Sequence, residues 1–339
     1  MKDHLKILHV NECGSVAKDL VQGLRNLGIE ADIYQPTVGT YRANAWKRSL
    51  LPLIRTWEAI KLYFLVKQRQ YNVVHVHYAS LAYMTIITGI PYFLHCHGSD
   101  LRRDLSRPVL GTITREAIRK AIRVFYVTPD LKKYLDPLRS DAIFLPNPID
   151  LEKFKPSLNI EQLKPCILCI SKMEPFKGIE WNIQIIEQVW EIRPEVEVAI
   201  FNFGNSEIAK RFISEHQQDP RLILLSRTPH EKMSELIGSF RVILGQQHLD
   251  VGALGLSELE AMACGKPVVC YFNYPDAYPE PPPIIASHTP EEAAAHILRL
   301  LDDPNLCMNL GKEARKWVSK YHNPQSIIQT LIDYYRQYL

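Results

Sequence analysis

Two doubly wound α/β domains, each a parallel sheet with helices on both faces, are the fold class this sequence predicts, and three observations predict it. Short apolar runs alternate with amphipathic stretches along the whole chain, the pattern of strand and helix units that cross over to a parallel neighbour. The 339 residues, 46% of them hydrophobic, suit two domains of about 150 residues better than one. Between the two series lies Pro146-Asn147-Pro148-Ile149-Asp150-Leu151-Glu152-Lys153-Phe154-Lys155-Pro156, too rich in proline to continue either sheet, so it leads into a linker.

The first strands read Leu5 to Val10, Ala31 to Tyr34, Val73 to His77, Tyr92 to His97, Val124 to Val127 and Ala142 to Leu145, with helical patterns such as Ala17 to Leu27 and Thr114 to Ile122 between them. A second series follows in Ile167 to Ser171, Val196 to Phe203, Leu222 to Leu225, Val242 to Gln246 and Val268 to Tyr271, with helices near Gly178 to Glu191 and Glu231 to Ile237. Finally, Ile327, Ile328, Leu331, Ile332 and Tyr335 recur at helical spacing, an apolar stripe that needs a surface to cover. The expected organisation is therefore residues 1–150, residues 151–323 and a terminal helix over 324–339.

No run approaches the ~20 apolar residues of a membrane span, and Met1-Lys2-Asp3-His4 leads straight into a strand without the features of a signal peptide. Seven cysteines at irregular spacing suit a reducing compartment, so the expected location is cytoplasmic, at most peripheral at the inner face of a membrane. Cys166-x-x-Cys169 has ligand-like spacing but lies within a strand, where residues three apart point to opposite faces. His75-x-His77 and His95-x-His97 each put two imidazoles on one side of a strand, yet no carboxylate or cysteine cluster completes a zinc site, and no metal is expected.

Charge divides the halves. Residues 1–156 hold 23 Lys and Arg against 14 Asp and Glu, a net +9, and the remainder 17 against 23, a net −6. Within the basic half, Arg42 to Arg69 mixes cations with Leu53, Trp57, Ile60 and Phe64, which suits a helix resting on anionic headgroups or an ordinary packed helix with a solvated basic face. Nucleic acid is excluded as a partner, since neither a stacking platform nor a reader motif accompanies the basic residues.

The most informative stretch is Gly255-Leu256-Ser257-Glu258-Leu259-Glu260-Ala261-Met262-Ala263-Cys264-Gly265-Lys266-Pro267-Val268-Val269, which reads as a loop, a short helix and a buried strand. Gly255 frees the backbone for close approach, and the N–H groups of the first turn at Leu256 and Ser257 would face an anion, with the helix dipole behind them. Glu260, one turn in, reaches a sugar hydroxyl, or pairs with Ser257 as a capping box.

This stretch resembles the signature of the retaining nucleotide-sugar glycosyltransferases of family 4, in which the Glu260 equivalent holds the ribose of the donor nucleotide. Pro146 to Pro156 resembles the marker that ends the amino-terminal domain of that family, with Pro148 in place of glycine. His97-Gly98-Ser99-Asp100 resembles its His-Gly-x-Asp loop, and Lys172-x4-Lys177-Gly178 its Arg-x4-Lys-Gly diphosphate grip. Gly14 matches its glycine loop loosely. The resemblance implies the GT-B fold, two Rossmann-like domains facing across a cleft with a C-terminal helix crossing back to the first.

The activity it implies is retaining, metal-independent transfer of a sugar from a nucleoside diphosphate to a saccharide or lipid-linked acceptor, with the nucleotide sugar as substrate and no cofactor. Departure of the diphosphate calls for fixed positive potential, and Lys172 and Lys177 supply it, with His97 at the sugar. Asp100, Gly255, Leu256, Ser257 and Glu260 complete the donor site. The linker permits closure that brings His97 toward the diphosphate, while the terminal helix braces the halves or packs on the second domain alone. One departure stands out: Gly252 occupies the place of the first glutamate of the family's Glu-x7-Glu pair, with Asp250 near enough to substitute by a loop shift. That opens the alternative of a catalytically silent binding or scaffold relative. An oxidoreductase is disfavoured because Asn11-Glu12-Cys13-Gly14-Ser15 lacks the dinucleotide fingerprint, and a sugar epimerase is a minor alternative.

Overall fold

A computed structural model describes residues 4–37, 51–156, 163 and 165–339. Its contacts divide the chain into two compact units, one of residues 1–148 with 324–339 and the other of residues 149–323.

The first unit is a six-stranded, wholly parallel sheet of β1 (Lys6–Val10), β2 (Glu30–Tyr34), β3 (Val73–His77), β4 (Phe93–Cys96), β5 (Val124–Tyr126) and β6 (Ile143–Phe144), in the order β2-β1-β3-β4-β5-β6. The second repeats the design with β7 (Cys166–Cys169), β8 (Glu197–Phe201), β9 (Leu222–Leu225), β10 (Val242–Leu244), β11 (Val268–Cys270) and β12 (Ile285–Ala286), ordered β12-β11-β10-β7-β8-β9. Strands read from apolar runs come out shorter at their carboxyl ends, because Ser171, Gln246 and Tyr271 already belong to the loops above the sheet. The two-residue β12 has too little pattern to be read at all.

Helices that matter below are α1 (Val16–Asn26), α2 (Leu51–Arg69), α3 (Pro108–Lys120), α4 (Ile179–Ile192), α5 (Leu256–Ala263), α6 (Pro304–Tyr321) and α7 (Pro324–Arg336). All five residues of β3 are buried, as expected of a strand covered on both faces. Cys166 and Cys169 fall in separate cores on opposite faces of the second sheet, the consequence of their three-residue spacing, and all seven cysteines are free thiols.

Helix α7 packs on the first unit. Its Ile327, Ile328, Leu331, Ile332 and Tyr335 join Leu20 and Leu24 of α1 and Phe93 and Phe125 of the sheet in one core. Gly23 lets the two helices meet, since a Cβ there would lie 1.9 Å from Cδ1 of Ile328. A tail packed wholly on the second unit is thereby excluded.

The proline-rich marker from Ile149 onward belongs to the second unit. The Ile149 N–H donates to the His322 carbonyl at 2.9 Å, and Arg315 donates to the carbonyls of Phe154 at 2.7 Å and Leu151 at 3.2 Å. Asp150 turns the chain by accepting from the N–H groups of Glu152 and Lys153. The expected basic stretch 42–69 begins outside the described residues; from Leu51 it is α2, which buries Ala59, Leu62 and Val66 against the sheet.

Candidate functional site

In the second sheet the strand order reverses between β7 and β10, so the loops that follow these strands leave a crevice at their carboxyl ends. Both carry predicted residues. The loop after β7 holds Lys172 and Lys177, and it is pinned to the loop after β8: the Met173 N–H donates to Phe203 and the Ser206 N–H to Met173. Gly178, at φ 69°, then starts α4 so close to Gln247 that a Cβ would meet its carbonyl oxygen at 2.1 Å. That contact requires glycine, and it brings the end of one loop against the other.

Lys177 is thus fixed beside β10. Its carbonyl accepts from the Gln247 N–H at 3.2 Å, and its Nζ donates to Oε1 of Gln246 at 3.1 Å. Gln246 also donates from Nε2 to the Ala253 carbonyl, tying the ammonium to the loop that opens α5. Lys172, exposed on the same loop, makes no side-chain hydrogen bond or ion pair among the described residues. Of the two lysines that the sequence paired, Lys177 is the one whose ammonium is held by a neighbouring side chain.

Helix α5 starts at Leu256 with Gly255 as its N-cap, and the capping residue is Glu258. Its buried carboxylate accepts from the Gly255 N–H at 3.1 Å and from the Gln246 N–H at 2.8 Å, joining the helix start to the end of β10. The expected Ser257 and Glu260 capping box does not form, because Ser257 lies inside the helix rather than before it. Glu260 is free of that task, and the first-turn N–H groups of Leu256 and Ser257 have no intrahelical acceptor.

Glu260 instead meets His230, Oε1 to Nε2 at 2.6 Å, while Nδ1 of His230 lies 2.7 Å from Nζ of Lys153. An ammonium only donates, so His230 accepts at Nδ1 and presents its N–H at Nε2 to the carboxylate. Glu260 is almost completely buried yet oriented from behind by a residue of the proline-rich marker. Glu260→Gln keeps an acceptor for His230, so its melting temperature should stay within a degree or two while nucleotide affinity falls about fivefold through loss of the charged acceptor. A lowered melting temperature with unchanged affinity would make Glu260 structural.

Gly252 has φ 54°, and a Cβ there would lie 3.1 Å from the Asn273 side chain. A glutamate would be strained at this backbone conformation as well as crowded. Asp250, two residues away, is exposed in the same loop.

In the first unit, His97 follows β4 and Asp100 holds its loop. The Asp100 carboxylate is fully buried and accepts from the N–H groups of Ala79 at 3.1 Å, His97 at 3.2 Å, Gly98 at 2.8 Å and Leu101 at 3.1 Å. Burial raises its pKa, opposed by those hydrogen bonds. Expected to contact the donor, Asp100 is instead committed to the backbone, because four N–H groups occupy it. Gly14 (φ 61°) and Ser15 (φ 69°) are both left-handed ahead of α1, whose first turn is met by the Glu12 carboxylate at the Lys18 N–H, 2.9 Å.

Five imidazoles lie together on one face of this sheet. His9, His75, His77 and His95 are buried, and His97 is partly so. They are linked as His9 Nδ1 to His77 Nε2 at 2.8 Å, His77 Nδ1 to His97 Nε2 at 2.9 Å, and His75 Nε2 to His95 Nδ1 at 3.3 Å; Tyr335 of α7 meets His75 Nδ1 at 2.6 Å. Burial lowers the pKa of every ring, to about 3 for His9 and His97, so all are neutral near pH 7. Ring nitrogens of His75, His77 and His95 come within 4.8 Å of one another. A tetrahedral ion, however, needs lone pairs converging at about 2.0–2.1 Å, whereas several of these rings stack about 5 Å apart and bond to one another. Sequence pairs each histidine with its i+2 neighbour; bringing in His9 requires the register of β1 against β3, which pairs His9 with His75.

Two family profiles match in order. "Glycosyltransferase Family 4" covers residues 14–153 and "Glycosyl transferases group 1" residues 150–317. A GDP-mannose-dependent monoacylated alpha-(1-6)-phosphatidylinositol monomannoside mannosyltransferase of Corynebacterium glutamicum is 22% identical over 319 residues, 85% of this chain and 82% of that protein. A UDP-Gal:alpha-D-GlcNAc-diphosphoundecaprenol alpha-1,3-galactosyltransferase of Escherichia coli is 27% identical over 52% of this chain and 45% of its own length. Among solved structures, sucrose-phosphate synthase from Thermosynechococcus elongatus superposes with a TM-score of 0.77 at 18% identity, covering 98% of both chains. The Anabaena protein HepE, solved with UDP and glucose, gives 0.73 at 15% identity over 99% of this chain and 100% of that one.

Proposed function

We propose that this chain, which belongs to family 4 of the glycosyltransferases with the GT-B fold and so moves a sugar from a nucleotide sugar, does so with retention and onto a lipid-linked acceptor at a membrane surface. The observation that carries the donor half is the placement of Lys177: its ammonium is held by Gln246 beside the N-terminus of α5, with Glu260 one turn further in. Cleavage of the anomeric C–O bond leaves negative charge on the diphosphate, and a fixed ammonium beside unpaired helix N–H groups stabilises that charge without reorganisation. Glu260 takes the ribose, and His97 contacts the sugar. Attack on the face that the diphosphate leaves gives retention with no protein nucleophile and no metal, and the backbone at Gly252 is compatible with a donor sugar held without a first glutamate.

The acceptor half is supported by α2. Beyond the stripe it buries, it exposes Leu53, Trp57 and Phe64 at 69%, 57% and 55% on its outer side. Lys61 lies over the Trp57 ring and Lys67 over the Tyr63 ring, so cations border the apolar face. Apolar rings with bordering cations suit the headgroup layer of an anionic membrane, and the names of both transferase relatives specify lipid-linked acceptors. No described helix is long and apolar enough to cross a membrane.

Flotation with phosphatidylglycerol vesicles tests this half. The parent protein should float and neutral phosphatidylcholine vesicles should leave it behind, while Trp57→Ser/Phe64→Ser should weaken binding at least tenfold by removing several kcal/mol of buried apolar area and leave donor hydrolysis intact. Equal flotation of parent and variant would refute docking through α2. Gly252 favours a second reading, a silent relative that binds the nucleotide without cleaving it; absence of donor hydrolysis despite nucleotide binding would establish that reading instead.

A further inference from the structure

His9, His77 and His97 form a continuous hydrogen-bonded series whose protons can be counted. Each ring is neutral and carries one N–H and one lone pair. Two hydrogen bonds, at 2.8 Å and 2.9 Å, use both nitrogens of His77, so its single proton fixes the direction of both bonds together. Only two arrangements exist. In one, His9 donates from Nδ1 to His77, His77 donates from Nδ1 to Nε2 of His97, and His97 carries its proton on Nδ1. In the other every bond is reversed, and His97 offers a lone pair at Nδ1.

The far end of the series decides between them. Nε2 of His9 is buried and has no hydrogen-bond partner among the described residues. The first arrangement leaves a lone pair there and the second an N–H, and a buried orphan N–H is the rarer and costlier of the two. The whole side chain of His9 is out of reach of solvent, its faces covered by the stacked rings of His75 and His77 with centroids 5.0 and 5.1 Å away.

We propose that His9 and His77 are positioning residues that hold His97 as its Nδ1–H tautomer, so that an N–H donor is presented at the carboxyl end of β4. An imidazole without such a partner is mainly Nε2–H in water, so the series inverts the intrinsic preference. Nδ1 is the ring nitrogen of His97 that no described residue engages. The consequence for transfer rests on the proposed role of His97 at the donor sugar: a fixed donor there binds a sugar or phosphate oxygen gaining negative charge and does not compete as a base. The tautomer itself is independent of that role.

Long-range proton–nitrogen correlation spectra of protein labelled with 15N-histidine, assigned by single substitutions, read the tautomer directly. The parent should show His97 protonated at Nδ1 near pH 7.5. His77→Phe fills the space but ends the series, so His97 should revert to mainly Nε2–H. His77→Gln should restore the parent pattern, its amide N–H donating to His97 and its carbonyl accepting from His9. In donor hydrolysis, His77→Phe should lower kcat about tenfold, the size of one lost charge-directed hydrogen bond, with KM within about twofold, and His77→Gln should recover most of it. A parent spectrum with His97 protonated at Nε2 would overturn the proposal even if no variant folds, as would an Nδ1–H signal that survives in both His77→Phe and His9→Phe. Failure of the proposed donor role would look different, as parent-like kcat in His97→Phe with the tautomer pattern of the parent intact.

Discussion

Lowering the pH from 6.5 to 5 is expected to destabilise the first unit steeply. His9, His75, His77 and His95 are buried as neutral rings, with pKa values held by desolvation well below the ordinary 6.5, about 3 for His9. Released into the unfolded chain, each binds a proton near 6.5, so below that pH the unfolded state holds more protons and folding stability falls; above it the term is constant. Each ring costs about 1.4 kcal/mol per pH unit, hence about 2 kcal/mol at pH 5 and ~8 kcal/mol for the four. A domain stability of roughly 5–15 kcal/mol does not survive such a loss with much margin. Hydrogen exchange followed by mass spectrometry should show β1, β3 and β4 losing protection between pH 6 and 5 while β7, β8 and β10 keep theirs. His9→Phe should lessen the slope by about one proton. Protection of β3 unchanged at pH 4.5 would contradict the neutral buried stack.

Asp100→Ala should destabilise the same unit by about 3–5 kcal/mol, since it strands the buried N–H groups of Ala79, His97 and Gly98, while that of Leu101 keeps the Gly98 carbonyl at 3.0 Å. The substitution removes little apolar contact, so the loss comes from desolvated donors rather than from a cavity. Asp100→Asn retains one acceptor oxygen and should recover roughly a third of that loss. Urea titration measures both; a change below about 1 kcal/mol for the alanine variant would mean that water replaces the carboxylate without cost.

How far the sequence could be read depended on the reach of each signal. Short continuous apolar runs placed eleven strands, because parallel strands buried on both faces leave unbroken apolar segments, and among the described residues only the two-residue Ile285–Ala286 escaped. Motif order located the loops after β4, β7 and β10. What it could not supply was the partner of each side chain. Glu258 and Glu260 are equally acidic and two residues apart on one helix, and only the observed helix start assigns the cap to Glu258 and frees Glu260. His230 and Lys153 lie 77 residues apart and meet through tertiary packing alone. Asp100 fits a ligand-binding motif by its letters, yet in the fold its carboxylate is enclosed by its own loop.

The proposed donor site holds a diphosphate between Lys177 and the N-terminus of α5. Calorimetric titration of the parent protein and Lys177→Ala with UDP, GDP and the matching nucleosides, uridine and guanosine, tests it most directly. Whichever diphosphate the parent binds should be weakened about 10- to 100-fold in the variant, the 1.5–3 kcal/mol of a charge-assisted contact, while the nucleoside should change less than about twofold. An equal loss for diphosphate and nucleoside, or a diphosphate that binds Lys177→Ala as tightly as the parent, would contradict it.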